Sequence, residues 1–130
     1  MARRDVEFEN NVVMIIDDDC ELRVSLAEYL EEAGYVVVAF SNGSDALAYL
    51  RRHPPPASIL LDLFMPVMSG WEFARQLRAH RRLASIPVVV ITGSEPHWGH
   101  PSAHVLRKPL LPLEVLRTVG EVMPAESARH

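Results

Sequence analysis

The chain is 130 residues long, room for one domain, and 48% of it is hydrophobic, enough for a packed core. Its 17 acids against 13 Lys and Arg give a net charge of -4, which argues against nucleic acid as the main partner, because a phosphate backbone demands clustered basic surface. One cysteine, Cys20, excludes an intramolecular disulfide, no apolar run approaches the ~20 residues of a membrane span, and the polar stretch Met1–Asn11 lacks the core of a signal peptide, so a protein of a reducing cytoplasm is expected.

Val12-Val13-Met14-Ile15-Ile16 is an unbroken apolar run that ends in acids and reads as a strand buried on both faces. Asp19 follows as an N-cap. Leu22, Leu26, Tyr29, Leu30 and Ala33 then recur at helical spacing up to Gly34. Tyr35–Phe40 is a β-branched strand, Ser41–Ser44 supplies cap and turn residues, and Ala46, Leu47, Tyr49 and Leu50 give a short helix its apolar face. Pro54-Pro55-Pro56 cannot continue that helix and makes a stiff connector. Ser58–Leu61 is a third apolar strand running into Asp62. A loop with Pro66 and Gly70 leads to a helix carrying Trp71, Phe73, Ala74 and Leu77. Pro87 opens a fourth strand, Val88–Ile91, that ends at Thr92. His104–Leu106 is a short fifth strand before Arg107-Lys108, and Pro112 sits in the first turn of a last helix, Leu113–Val122. The densest basic stretches, Arg51-Arg52 and Arg75, Arg78, Arg81 and Arg82, read as solvated helix faces.

Strand and helix alternating in this way predict an α/β fold, a doubly wound five-stranded parallel sheet flanked by helices. Ligands of such sheets sit beyond the carboxyl ends of the strands. That rule brings Asp17 and Asp18, Asp62, Thr92 and Lys108 to one edge, from the ends of four different strands. Three carboxylates in one cleft repel each other unless a cation or a proton neutralises them. All-oxygen ligands suit a hard divalent ion such as Mg²⁺. Lys108 adds a point positive charge and Thr92 a hydroxyl donor. This set suits phosphoryl transfer to a carboxylate, where positioning and charge neutralisation carry most of the catalysis. Taken singly, an acid at a strand end is more often a cap or turn residue; the weight lies in the joint placement.

Ile15-Ile16-Asp17-Asp18-Asp19 resembles the acidic-pair segment of response-regulator receiver domains. Leu60-Leu61-Asp62-Leu63-Phe64-Met65-Pro66-Val67-Met68-Ser69-Gly70 resembles their phosphoacceptor segment, and Thr92-Gly93 and Lys108-Pro109 match the two remaining signatures. The resemblance runs from about Val12 to Val122. It implies a flavodoxin-like receiver fold, a single receiver domain over residues 1–130 with its core at about 12–122, and no output domain in this chain. It further implies that Asp62 is the phosphorylated aspartate. Asp18, Asp62 and the backbone carbonyl of Phe64 would bind Mg²⁺ (or Mn²⁺), and Asp17 would act mainly through water. Thr92 would hydrogen-bond the phosphoryl group, and Lys108 would pair with Asp62 and then with a phosphoryl oxygen. Lys108-Pro109 would be a cis bond. The donor would be a phosphohistidine on a sensor histidine kinase or a histidine phosphotransfer protein. The readout would be a conformational change passed to a protein effector, with no direct role for nucleic acid or membrane. Such a module is a switch, not an enzyme with an external substrate.

Two features depart from the family pattern. Val105 stands where an aromatic switch residue is frequent. Only 15 residues separate Thr92 from Lys108, and Gly93, Pro96, Gly99 and Pro101 interrupt them, so the fourth helix is expected to be missing or very short. His97, His100 and His104, with Glu95 nearby, read as a polar loop rather than a metal site, since no cysteine joins them. Trp98 in that loop fits either local packing or a partner contact. Phe64, two residues after Asp62, should crowd an attacking water, and small Gly93 should leave the pocket open. Two other readings compete. Asp17 and Asp19 form the D-x-D of haloacid dehalogenase-type phosphatases, but that leaves Asp62 without a role and the chain without a cap domain. A degenerate receiver used only for interaction would fit the shortened crossover, but an unused cluster of acids would only cost stability.

Overall fold

The computed structural model describes residues 10–93 and 104–123. Five strands, β1 (Val12–Ile16), β2 (Val36–Phe40), β3 (Ser58–Asp62), β4 (Val88–Thr92) and β5 (His104–Arg107), form one sheet in the order β2-β1-β3-β4-β5, every pair parallel. Four helices lie among the described residues: α1 (Cys20–Glu32), α2 (Gly43–Leu50), α3 (Gly70–Ala79) and α4 (Pro112–Val122).

Period-two alternation along the strands sorts the core into two layers. Val13, Ile15, Leu60, Val89, Ile91 and Leu106 point to one face, where Leu26 and Leu30 of α1 and Val115 and Val119 of α4 cover them. Met14, Ile16, Ile59 and Leu61 point to the other, under Ala46, Leu47 and Leu50 of α2 and Phe73, Ala74 and Leu77 of α3. β1, β3 and β4 are thus covered on both faces, which is why their sequences are apolar without a polar alternation. Burying a side chain of the size of Phe73 or Leu61, both fully buried, stabilises the fold by roughly 1.5–3 kcal/mol each.

Helix starts follow the local chemistry. Asp19, Asn42 and Ser69 cap α1, α2 and α3, their side-chain oxygens accepting from Leu22 N (3.2 Å), Asp45 N (2.8 Å) and Glu72 N (3.2 Å). α4 has Pro112 in its first turn in place of a side-chain cap. Past α1, Gly34 takes φ 99°, the left-handed conformation that glycine adopts without strain. The Lys108-Pro109 bond is cis.

The reduced fourth helix, and with it Glu95, His97, Trp98 and His100, concerns residues outside those described. Of the same stretch, Gly93 and His104 are exposed and Val105 is half-buried, in register with Val90 of β4.

Candidate functional site

In the strand order, the chain moves from β1 to β2 on one side and to β3 on the other. The crevice of a doubly wound sheet opens at this reversal. Asp17 follows β1 directly, and Asp62 is the last residue of β3. Both carboxylates are almost fully enclosed, Asp17 at 0% and Asp62 at 3% exposure, whereas Asp18 faces solvent. One oxygen from each of Asp17, Asp18 and Asp62 lies within 4.8 Å of the others.

Lys108, just beyond β5, reaches across the strand ends. Its Nζ stands 3.3 Å from Asp17 Oδ2 and 3.8 Å from Asp62 Oδ2. The expectation of a Lys108–Asp62 pair therefore needs a refinement: the ammonium bridges both buried acids and lies nearer Asp17. The Lys108 N–H donates to the Thr92 carbonyl at 2.9 Å, extending the β4–β5 ladder by one rung. Thr92 is fully buried at the end of β4, opposite Arg107.

Backbone geometry locks the two acids. Asp17 Oδ1 accepts from Asp19 N at 2.9 Å, and its main-chain N–H donates to Phe40 O at 3.1 Å. The Asp17 carbonyl accepts from Arg23 Nη1 at 2.7 Å, a contact from α1 that sequence reasoning missed because it spans most of two helical turns. Asp62 Oδ1 accepts from Phe64 N at 3.2 Å, which fixes the peptide at the start of the following loop. Asp19 is spent as the α1 cap, so it has a structural role and the D-x-D reading loses its second acid.

The loop after Asp62 is tightly specified. Gly70 N donates to Leu63 O at 2.9 Å, and a Cβ at Gly70 would stand only 2.4 Å from the Asp62 carbonyl oxygen and 2.7 Å from Leu63 Cα, so only glycine fits. Met68 N donates to Pro66 O at 2.7 Å across Val67, whose φ is 71°. This is a strained γ-turn, centred on a β-branched residue that is 91% exposed. Phe64 is 58% exposed at the rim of the cleft, with its ring edge-on to Trp71 at 5.0 Å.

Burial, and after it the neighbouring Asp17 carboxylate, push Asp62 up from 3.8 to about 6, against the pull of Lys108 and the Phe64 N–H. Asp17 Oδ2 is enclosed yet has no hydrogen-bond partner beyond its ion pair with Lys108. An orphaned carboxylate oxygen, two more acids within reach and one ammonium for three negative charges form an oxygen-rich site short of positive charge. That donor set fits a hard divalent cation.

Comparison with known proteins agrees with this geometry. Residues 13–98 match the family model described as the response regulator receiver domain. The chain is 29% identical over 117 residues to protein PilH of Pseudomonas aeruginosa, covering 85% of this chain and 96% of PilH. It is 35% identical over 82 residues to the transcriptional regulatory protein GltR of the same organism, covering 63% of this chain but 34% of GltR. The chain thus spans about a third of that regulator's length. Among solved structures, the chemotaxis protein CheY4 of Vibrio cholerae superposes with a TM-score of 0.80 at 28% identity, covering 88% of this chain and 99% of CheY4. Among the described residues, no helix is long and apolar enough to cross a membrane.

Proposed function

The chain belongs to the response regulator receiver domain family, and from that premise we propose that it is a phosphorylation switch whose acceptor is Asp62. The observation that carries the proposal is the three-carboxylate cluster bridged by Lys108 at the carboxyl end of the sheet. With its ionisation raised to about 6, Asp62 is still about ten-to-one ionised at pH 7, and so is a competent nucleophile. A carboxylate oxygen of Asp62 attacks the phosphorus of a phosphohistidine; the phosphorus–nitrogen bond breaks, and the imidazole leaves with the electron pair and takes up a proton. The donor is a sensor histidine kinase or a histidine phosphotransfer protein.

Asp18, Asp62 and the Phe64 carbonyl would hold a Mg²⁺ ion, with Asp17 acting through water. When bound, that ion would neutralise the acids and the charge on the transferring phosphoryl oxygens. Lys108 shifts its ammonium from Asp62 toward a phosphoryl oxygen, and the Thr92 hydroxyl donates to another. Because Lys108 and Thr92 stand at the ends of β5 and β4, their movement carries the signal from the acceptor to the edge of the sheet and on to a protein effector. The module turns over no external substrate.

The test is phosphorylation by acetyl phosphate with Mg²⁺, followed by intact mass spectrometry beside Asp62→Ala. One added phosphoryl group in the wild type alone, abolished by EDTA, is the expected result. A wild type and variant that gain mass equally would move the acceptor elsewhere.

A further inference from the structure

The cations of this chain are segregated. Residues 46–93 carry six arginines, Arg51, Arg52, Arg75, Arg78, Arg81 and Arg82, against two acids, Asp62 and Glu72. Residues 10–45 carry eight acids and only one cation, Arg23. Of the two acids in the basic half, Asp62 is enclosed in the cleft, and Glu72 is engaged by Arg75 and Gln76.

The fold then draws five of these arginines together. Arg51 and Arg52 close α2, Arg78 sits in the last turn of α3, and Arg81 and Arg82 follow in the turn leading to β4. Arg82 ties the two groups: its Nη2 donates to Leu50 O at 2.6 Å and its Nη1 to His53 O at 3.3 Å. Arg51 and Arg52 lie between those two acceptors in the chain, so the turn after α3 is stapled across the end of α2. All five are exposed, with His53 and His80 beside them. Among the described residues, no carboxylate pairs with Arg51, Arg52, Arg78 or Arg81.

Helix ends explain only part of this gathering. Each helix C-terminus carries about half a negative charge, so the two ends together offset roughly one of five positive charges. The remaining charge faces solvent as a compact patch, at the edge of the sheet where β3 and β4 begin. The Asp62 cleft lies at the opposite edge, so an occupant of the patch would leave the acceptor open.

We propose that this arginine cluster is a docking site for an acidic segment of a partner protein. Guanidinium groups present paired donors that match carboxylates two at a time. The patch is one turn and two helix ends wide, too short for the many phosphate contacts that hold a duplex, and the chain as a whole is negative. A membrane surface fits less well, because none of the exposed large hydrophobic residues among those described, Val24, Val36, Phe64, Val67, Leu111 and Leu113, lies at the patch to insert into lipid. The site is independent of whether Asp62 accepts a phosphoryl group.

The experiment is fluorescence anisotropy of a fluorescein-labelled glutamate octapeptide titrated with the full chain. It is run at about 50 mM and about 300 mM salt, beside a short DNA duplex and phosphatidylserine vesicles. A triple variant, Arg51→Glu, Arg52→Glu and Arg81→Glu, spares the structural Arg82, and a triple Arg→Lys variant at the same positions keeps the charge. Circular dichroism melting confirms that both fold. The peptide should bind, more weakly at high salt. Charge reversal should weaken binding by roughly tenfold or more, and the lysine variant, which keeps the charge but loses the paired donors, should fall between it and the wild type. Absence of peptide binding at low salt, unchanged binding by the charge-reversed protein, or tighter binding of the duplex or the vesicles would overturn the proposal. So would a salt-sensitive dimer on analytical ultracentrifugation that charge reversal abolishes, since the acidic occupant would then be a second copy of this chain.

Discussion

Replacing Asp62 by asparagine should make the metal-free protein more stable at neutral pH, although it removes the proposed acceptor. Burial and the Asp17 charge raise Asp62 from 3.8 to about 6 even after Lys108 and the Phe64 N–H have lowered it. That rise is about two pKa units, and at about 1.36 kcal/mol each, holding the carboxylate ionised costs the fold about 3 kcal/mol. Between pH ~4 and pH ~6 the native state binds more protons than the unfolded chain, so stability falls as pH rises through this window, and the cost is complete above it. Asparagine keeps the shape and the acceptor for Phe64 N, and loses the charge. Urea unfolding of wild type and Asp62→Asn in EDTA, repeated from about pH 4 to pH 8, reads the difference directly. The variant should gain up to about 3 kcal/mol at the top of the range and only about 0.5 kcal/mol at the bottom. A variant no more stable than wild type at neutral pH, or a gain that does not shrink on acidification, would refute the reasoning. Added Mg²⁺ should narrow the gap by stabilising the wild type more.

The loop after Asp62 yields three further expectations. Val67→Gly relieves a left-handed conformation that costs an L-residue about 1–2 kcal/mol, less the extra freedom glycine has when unfolded, so the urea midpoint should rise by the equivalent of about 0.5–1 kcal/mol; a lower midpoint would contradict the strain assigned to Val67. Gly70→Ala forces a methyl group against the Asp62 carbonyl, and should destabilise the protein by more than about 2 kcal/mol and slow labelling of Asp62; a fully stable, normally labelled variant would show that the loop can yield. Phe64→Asn opens the rim of the cleft to water, so the phosphorylated form should decay faster than wild type by mass spectrometry, and equal half-lives would remove Phe64 from the control of hydrolysis.

The sheet was readable because its signals are local. The aliphatic runs at the centre of β1, β3 and β4 lack a polar alternation since both faces are covered, and Asp19 announces its helix by type and position. The convergence of Asp17, Asp18, Asp62, Thr92 and Lys108 followed from one rule about strand ends in parallel sheets. What stayed hidden is long-range or conformational. Nothing near Arg23 says that its guanidinium will hold the Asp17 carbonyl, and nothing near Arg82 points to acceptors at Leu50 and His53. Val67 carries no mark of a positive φ, which glycine or asparagine would have advertised. The basic stretches read as separate solvated faces because their union depends on how α2 and α3 pack. Likewise, the nearer approach of Lys108 to Asp17 than to Asp62 depends on tenths of an ångström that no spacing encodes.

Lys108 directly follows the rim strand of the sheet, yet the acids it holds belong to the centre, Asp17 after β1 and Asp62 at the end of β3. One side chain therefore acts as a guy rope from the outermost strand to the middle of the fold, anchored at two points that differ in what can happen to them. Under the proposed function Asp62 is the one that is modified, while Asp17 keeps its charge. A change at Asp62 would leave the rope attached but slacken or tighten one of its two ties, so the chain's edge would register the event as a shift in tension rather than as the loss of a contact.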